Sequence, residues 1–364
     1  MKRLLVCLVI VCAPPAAQAN AAPSASCGAT FGAIVPLSGA GAVVGREIMN
    51  WTKLSVANWN AQHGTHFSLV EGDSQFNPAQ AAIVAQQFVS NRKIVGTVGP
   101  GASQEVTAVG KTMNRAHIAM VSPSATATSL TIGASFHDFF RVVARDDQQG
   151  PTAARYIVAQ VHPKRVMIVD DQSSFSTGLA ASAAPVLQKA GVVVDRESVP
   201  QTADDFADLV AKTSSTDLVF LTWQLPANIK LFVQQLQAQG RTTPTFATTF
   251  DGGTNYVSSF SVNSHSYPPD AAISRQYEQR YGTNYTGQFG PPSYVAAQVL
   301  MTAASSLCAQ HRAVTRTALL AAVRKVKLAH TIIGRPVSFD KRGDLVGGRF
   351  YIYKLVGGSY RLSS

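Results

Sequence analysis

The chain has 364 residues, 46% of them hydrophobic and 14% charged. That length suits two domains, and so little charge beside so much apolar residue excludes a disordered chain. The formal net charge is +11, but outside "RKVK" (Arg324–Lys327) and "DKRGD" the positive residues are scattered. With no basic stripe interleaved with aromatics, no nucleic-acid partner is expected, and a solvated basic exterior is the plainer account.

Residues 1–22 stand apart. Lys2 and Arg3 precede the apolar run "LLVCLVIVCA", and "PPAAQANA" follows with small residues in an A-x-A pattern. The run is too short to span a bilayer and reads as a cleaved secretory signal, which places the mature protein outside the cytoplasm, in a periplasm. Cys12 follows Val11 and Cys27 follows "PSAS", contexts that disfavour a lipid anchor. Beyond the signal two cysteines remain, Cys27 and Cys308. In an oxidising compartment such a pair commonly bonds, and a disulfide is expected, with two unrelated thiols as the alternative.

From there, short apolar runs alternate with longer amphipathic stretches. "FGAIVPL", "FSLVEGD", "IVGTVGP" and "IAMVS" read as strands. "REIMNWTKLSVANWNAQ", "PAQAAIVAQQFVSN" and "SQEVTAVGKTMNRA" carry apolar residues at helical spacing. Asn77-Pro78 is a helix start, with Asn as cap and Pro in the first turn. The rhythm restarts after Arg145 with strands "RVMIVDD", "VVVDRESV", "DLVFLTW" and "TFATTF". Helices between them include "DQQGPTAARYIVAQV", "STGLAASAAPVLQKAG", "DDFADLVAKT" and "ANIKLFVQQLQAQG", two of them closed by Gly191 and Gly240. Two helical stretches then follow one another, "SYVAAQVLMTAASSLCAQ" and "TRTALLAAVRKVKL", before a strand pair around "RFYIYKLV". The fold class expected is α/β: two doubly wound, parallel-sheet lobes joined by a multi-strand hinge. Lobe 1 comprises residues 25–143 plus 272–347, and lobe 2 residues 144–271 plus 348–364, with one crossing near Val143–Asp146.

Catalytic and cofactor chemistry is hard to find. There is no G-x-S-x-G elbow, no Walker loop and no G-x-G-x-x-G. The eight histidines are dispersed, and His63 and His66 have no Cys or carboxylate at metal spacing. An enzyme is therefore not expected, nor a cofactor or metal. What stands out is placement, because open α/β sheets bind ligands beyond the carboxyl ends of their strands. Ser103 follows "IVGTVGP", Ser124 and Thr126 follow "IAMVS", Phe175 follows "IVDD", Trp223 and Gln224 follow "LVFLT", and Asp251 follows "FATTF". Some of these positions begin helices or turns, whose free N–H groups attract an anion.

Five segments of the chain, one of them holding Ser124 and Thr126, resemble a known family. "PLSG" (Pro36–Gly39) looks like its first strand end, and "GDSQFNPAQA" resembles its D-x-x-x-x-P-x-x-A segment. "SPSATATSLT" (Ser122–Thr131) looks like its S-P-x-A-T-x-x-x-L-T signature. "FFRVVARDDQQGPTAARYI" is similar to its F-R-x-x-x-x-D-x-x-Q-G-x-x-A-A-x-Y stretch, and "VSFDKRGD" to its F-D-x-x-G-D. In number and order they mark a resemblance, over essentially the whole mature chain, to the type I periplasmic binding proteins of the branched-chain amino-acid class. The resemblance implies a monomeric solute-binding protein that captures an amino acid or related small carboxylate by hinge closure and hands it to the membrane permease of an ABC importer. A sensor feeding a receptor is the alternative. By position, Ser103, Ser124, Ala125 and Thr126 would meet the ligand's carboxylate and ammonium, and Asp251 would pair with the ammonium.

The chain departs from the family where tyrosines are usual: those places hold Val44, Phe175 and Gln224, with Trp223 beside the last. One wall of the site is thus expected to be more apolar than in a leucine site. Each residue also has a plainer role: Ser103 as helix cap, Thr126 as turn former, Phe175 and Trp223 as core, Asp251 as a turn residue before Gly252.

Overall fold

The computed structural model describes residues 27–133, 136–250, 253–260, 271–282 and 287–363. In chain order these form β1 (Thr30–Val35), α1 (Ala42–His63), β2 (Ser68–Asp73), α2 (Pro78–Ser90), β3 (Ile94–Val98), α3 (Ser103–Arg115), β4 (Ala119–Ser122) and β5 (Phe139–Arg141). There follow α4 (Asp146–Tyr156), β6 (Arg165–Asp170), α5 (Ser174–Lys189), β7 (Val193–Ser198), α6 (Ala207–Lys212), β8 (Leu218–Leu221), α7 (Pro226–Ala238), β9 (Thr245–Ala247) and β10 (Tyr256–Ser259). The last are α8 (Ala271–Tyr281), α9 (Gly290–Ala309), α10 (Arg316–Val323), β11 (Lys327–Leu328), β12 (Val337–Ser338), β13 (Tyr351–Val356) and β14 (Ser359–Leu362).

The strands form two large sheets. The first has the order β2-β1-β3-β4-β5 and is wholly parallel. The second runs β14-β13-β10-β9-β8-β6-β7, parallel from β10 to β7, with β13 and β14 added antiparallel at one edge. Central strands such as β1, β3 and β8 are buried along nearly their whole length, as strands covered on both faces must be. One face of the first sheet packs on α1, α9 and α10 through Ile48, Val299, Leu300 and Leu319; the other packs on α2 and α3 through Val84, Phe88, Val106 and Met113. The second sheet is likewise clothed, by α4 and α5 around Ile157, Leu179 and Leu187, and by α6 and α7 around Leu209, Ile229 and Phe232. The chain passes between the sheets after β5, after β10, and again before β13.

Local chemistry explains the boundaries. Asn77 Oδ1 accepts from the Ala79 and Gln80 amides (2.8 and 3.3 Å), with Pro78 as the first helical residue. Gly191 and Gly240 follow α5 and α7 with φ of 83° and 67°, a conformation that costs an L-residue a Cβ clash. The expected first helix began at Arg46, whereas α1 begins four residues earlier. Gly45 permits this: a Cβ there would lie 1.7 Å from the Pro36 carbonyl oxygen, so only glycine lets α1 press against the end of β1. β5, β10, α8 and the β11–β12 pair were not expected. β5 has three residues and β10 four, too short for an alternation to register. Cys27 and Cys308 are joined, Cα–Cα 5.7 Å, tying the segment before β1 to the end of α9. Among the described residues, no helix is long and apolar enough to cross a membrane. The expected signal, residues 1–22, lies outside the described residues.

Candidate functional site

The carboxyl ends of the parallel strands in both sheets open on one cleft, with about 640 Å³ of atom-free space including its mouth. The first lobe contributes Pro36, Gly41, Val44, Ile48, Phe76, Gly101, Ala102, Ser124 and Thr126. The second contributes Gln149, Phe175, Trp223, Gln224, Leu225, Thr248, Thr249 and Phe260, and the return to α9 adds Gln288 and Phe289. Of the expected site residues, Val44, Ser124, Thr126, Phe175, Trp223 and Gln224 line this cleft together. Ser103 and Ala125 stand one layer behind, buried to 1% and 0% exposure. Asp251 lies outside the described residues.

The loop after β4 is built by small hydroxyls. Ser122 Oγ donates to the Pro100 carbonyl (2.7 Å) and accepts from the Ala125 amide (3.0 Å). Ser124 Oγ donates to the Gly101 carbonyl (2.6 Å), and Ser103 Oγ accepts from the Ala127 amide (3.2 Å). Ser103 and Ala125 are thus committed to holding the loop, which is why they do not reach the cleft.

The carbonyls of this loop are drawn the other way. Arg141, fully buried at the end of β5, donates through Nη1 to the carbonyls of Ala125 (3.1 Å) and Ala127 (2.9 Å), and the Asp146 amide donates to that of Thr126 (3.0 Å). Asp344 holds the guanidinium in place, accepting from Arg141 Nε, Arg145 Nη1 (2.7 Å each) and the Thr131 hydroxyl (2.9 Å). With three successive carbonyls occupied, the Thr126 amide is the loop donor that has no partner among the described residues. The first turn of α3 begins beside it, behind Gly101 and Ala102, and supplies further unpaired N–H groups and the positive end of the helix. This corner is a place for an anion.

Three buried carboxyls stand around the cleft. Asp146, wholly buried, is pushed up to about 7 by loss of solvation, against the opposing pull of the Thr126 hydroxyl and of Arg141. Glu105, the partner of the Ala102 amide (3.2 Å), is likewise raised by burial to about 7. Glu47 on α1 takes the Phe289 and Gly290 amides at the start of α9, and burial raises it well above the ordinary carboxyl value. Asp344 moves the other way: burial pushes it up, but Arg141, Arg145 and Thr131 together outweigh that and hold it low.

The remaining walls are apolar. Phe175 and Trp223 serve as core and lining at once: Phe175 belongs to the cluster under α4 and α5, and Trp223 packs on Phe206 (4.7 Å between ring centroids) and Phe232 (5.8 Å). Phe260 and Phe289 meet edge to face at 5.8 Å. Phe76 was missed by sequence reasoning, although it lies inside a quoted segment. Asp73 takes the amides of Leu37 (2.8 Å), Ser38 (3.2 Å) and Gln75 (2.9 Å), and Gln75 and Phe76 adopt φ of 54° and 59°. That left-handed turn, unfavourable by about 1–2 kcal/mol per residue, carries the Phe76 ring to the cleft. Gln149, Thr248, Thr249 and Gln288 carry no local pattern that could have marked them. Among the described residues no group of three His, Cys, Asp or Glu side chains could hold a metal ion.

Known proteins place this architecture. The profile of the family described as periplasmic binding protein matches residues 28–359. The chain is 26% identical to an amino acid binding protein of Pseudomonas aeruginosa, covering 89% of each chain, and 28% identical to a Leu/Ile/Val-binding protein of Citrobacter freundii, covering 87% of this chain and 88% of that one. Among solved structures, a branched-chain amino-acid transporter substrate-binding protein of Streptococcus pneumoniae, in complex with isoleucine, superposes with a TM-score of 0.80 at 20% identity, over 92% of this chain and 99% of the other. An R. palustris solute-binding protein in complex with benzoate also gives 0.80, at 19% identity over 92% and 94%. A matched profile over nearly the whole described chain, two doubly wound lobes and a cleft between their strand ends have one reading: the chain belongs to the periplasmic binding protein family and has its two-lobed type I fold.

Proposed function

We propose that the protein is an extracytoplasmic solute-binding protein of an ABC importer, which captures a hydrophobic amino acid, branched-chain or other, or a related small carboxylate between its lobes. The observation that carries this is the polar corner, where the Thr126 amide and the first turn of α3 offer donors to a carboxylate. Thr126 adds its hydroxyl, Ser124 Oγ, whose hydrogen goes to the Gly101 carbonyl, is left as an acceptor, Ser103 and Ala125 hold the loop from behind, and Phe76, Phe175 and Trp223 receive an apolar side chain. In this reading Asp251 pairs with an ammonium group when the ligand is an amino acid. Residues 1–22 direct export to the periplasm, and the monomer, closed on ligand, is what the membrane permease recognises. A closed form gains only as much as the ligand prefers it over the open form, so the ligand must touch both lobes.

The test is a thermal-shift screen of the twenty amino acids and of aliphatic and aromatic monocarboxylates. Stabilisation by at least one hydrophobic member is expected, and none by any member would refute the reading. Asp251→Asn then separates the two ligand types: it weakens an amino acid far more than a plain carboxylic acid. Equal loss for both would remove Asp251 from the ammonium site.

A further inference from the structure

Gln224 lines the cleft, yet its side chain is occupied by the opposite lobe. Its Oε1 accepts from Nε2 of Gln104 on α3 (3.0 Å), and its own Nε2 donates back to Gln104 Oε1 (3.2 Å). The two amides form a reciprocal pair across the mouth of the cleft. Behind them, Gln201 Nε2 donates to Gln224 Oε1 (2.9 Å) and to Asp171 Oδ2 (3.1 Å), and the same carboxylate oxygen accepts from the Gln224 backbone amide (2.8 Å).

The polarity of this chain is determined at one end. A carboxylate only accepts, so Asp171 forces Gln201 to present its NH₂ group. That NH₂ makes the Gln224 atom facing it the carbonyl oxygen, which in turn requires the NH₂ of Gln104 opposite. No other amide orientation satisfies every contact. All three glutamines are half-buried, Gln201 and Gln224 belong to the second lobe, and Gln104 belongs to the first and is absent from the cleft lining.

We infer that Gln104 and Gln224 form a closure latch, oriented by Asp171 through Gln201, which stabilises the closed lobes without touching the ligand. This rests on the binding-protein reading above and deepens it, giving Gln224 a positioning role where its place in the lining alone would suggest a ligand contact. The pair exists only when the lobes meet, so its bonds belong to the closed form and raise the affinity of whatever ligand is enclosed. Because the latch contacts no ligand atom, its removal weakens every ligand by the same factor.

The experiment compares the wild type with Gln104→Ala, using L-leucine and benzoate as probes, by calorimetry and by small-angle scattering with and without probe. The expected result is a loss of affinity of roughly 5- to 30-fold, equal for both probes, the worth of two neutral hydrogen bonds. Unliganded melting temperatures should match within a degree or two, because Gln104 is on the surface of its own lobe. Asp171→Asn, which can present NH₂ to Gln201 and so unset the polarity, should show a loss in the same direction. An unchanged affinity, or a loss confined to one probe, overturns the latch. If neither probe binds the wild type, the two best ligands of the thermal-shift screen replace them, and if the screen gave none, the ligand reading is what has failed. The latch is then judged on the unliganded proteins alone: the wild type must have the smaller radius of gyration, and an equal radius refutes it.

Discussion

Replacing Asp146 by Asn is expected to stabilise the protein at pH 8 and to flatten its pH dependence. Asp146 begins α4 at the crossing between the lobes, wholly buried, and neither carboxyl oxygen has a close hydrogen-bond partner. Burial lifts it to about 7, with Thr126 and Arg141 pulling the other way and Asp147 adding to the rise. A folded-state value above the unfolded one means that the folded protein binds the extra proton. The contribution to stability is then complete below the ordinary carboxyl value and is lost as pH rises through 7. Integrated between pH 5 and pH 8, a group moved to about 7 removes roughly 2–3 kcal/mol of stability. For a chain of this size that is on the order of 3–5 °C in Tm. Glu105 is raised to the same value and contributes a comparable slope of the same sign. Thermal melts of wild type and Asp146→Asn at half-unit steps from pH 5 to pH 8 therefore give two curves that approach each other towards pH 5 without meeting and part at alkaline pH. The variant retains the Glu105 and Glu47 parts of the slope, and a double variant with Glu105→Gln is flatter again, keeping the Glu47 part. An Asp146→Asn protein that melts below wild type at pH 8, or keeps the full wild-type slope, would refute the reasoning. It would mean that the carboxylate is ionised in the folded protein and held by Arg141.

Other outcomes follow from the same geometry. Asp344→Asn removes the carboxylate bonded to the fully buried Arg141 and one of the two paired with Arg145, and should cost about 3–5 kcal/mol, seen as a lower urea midpoint. Cys27→Ser with Cys308→Ser opens a link across 281 positions of sequence and should lower stability by roughly 2–5 kcal/mol, with reduced wild type melting at the same temperature as the double variant. Thr126→Val keeps the loop amide and the side-chain volume while deleting the hydroxyl. Calorimetry with the best ligand from the screen should show about a 2- to 10-fold loss, with little change in Tm, and an unchanged affinity would reduce Thr126 to its backbone.

Much of the fold was legible because strand and helix periodicity are local. The parallel strands of both lobes other than β5 and β10, the Asn77-Pro78 helix start and the glycine stops at Gly191 and Gly240 all declare themselves within a dozen residues. The strand ends then named a set of cleft residues without further information, since α/β sheets gather their ligands there. Of that set Ser124, Thr126, Phe175, Trp223 and Gln224 line one cleft, while Val44, on α1, was named from the family resemblance.

Tertiary structure decided which of those groups are free to act. Ser103 and Ser124 look alike in sequence, but Ser103 takes the Ala127 amide behind the cleft, while Ser124 lines it with its hydrogen already given to the Gly101 carbonyl. Arg141 and Asp344, 203 residues apart, turn the loop carbonyls away from the site, and no local pattern connects them. Gln224 reads as a lining residue until Gln104 arrives from the other lobe, 120 residues away, to occupy it. Hydrogen bonds saturate. A residue's type says what it can bond, and only the packed chain settles which partner has already been taken.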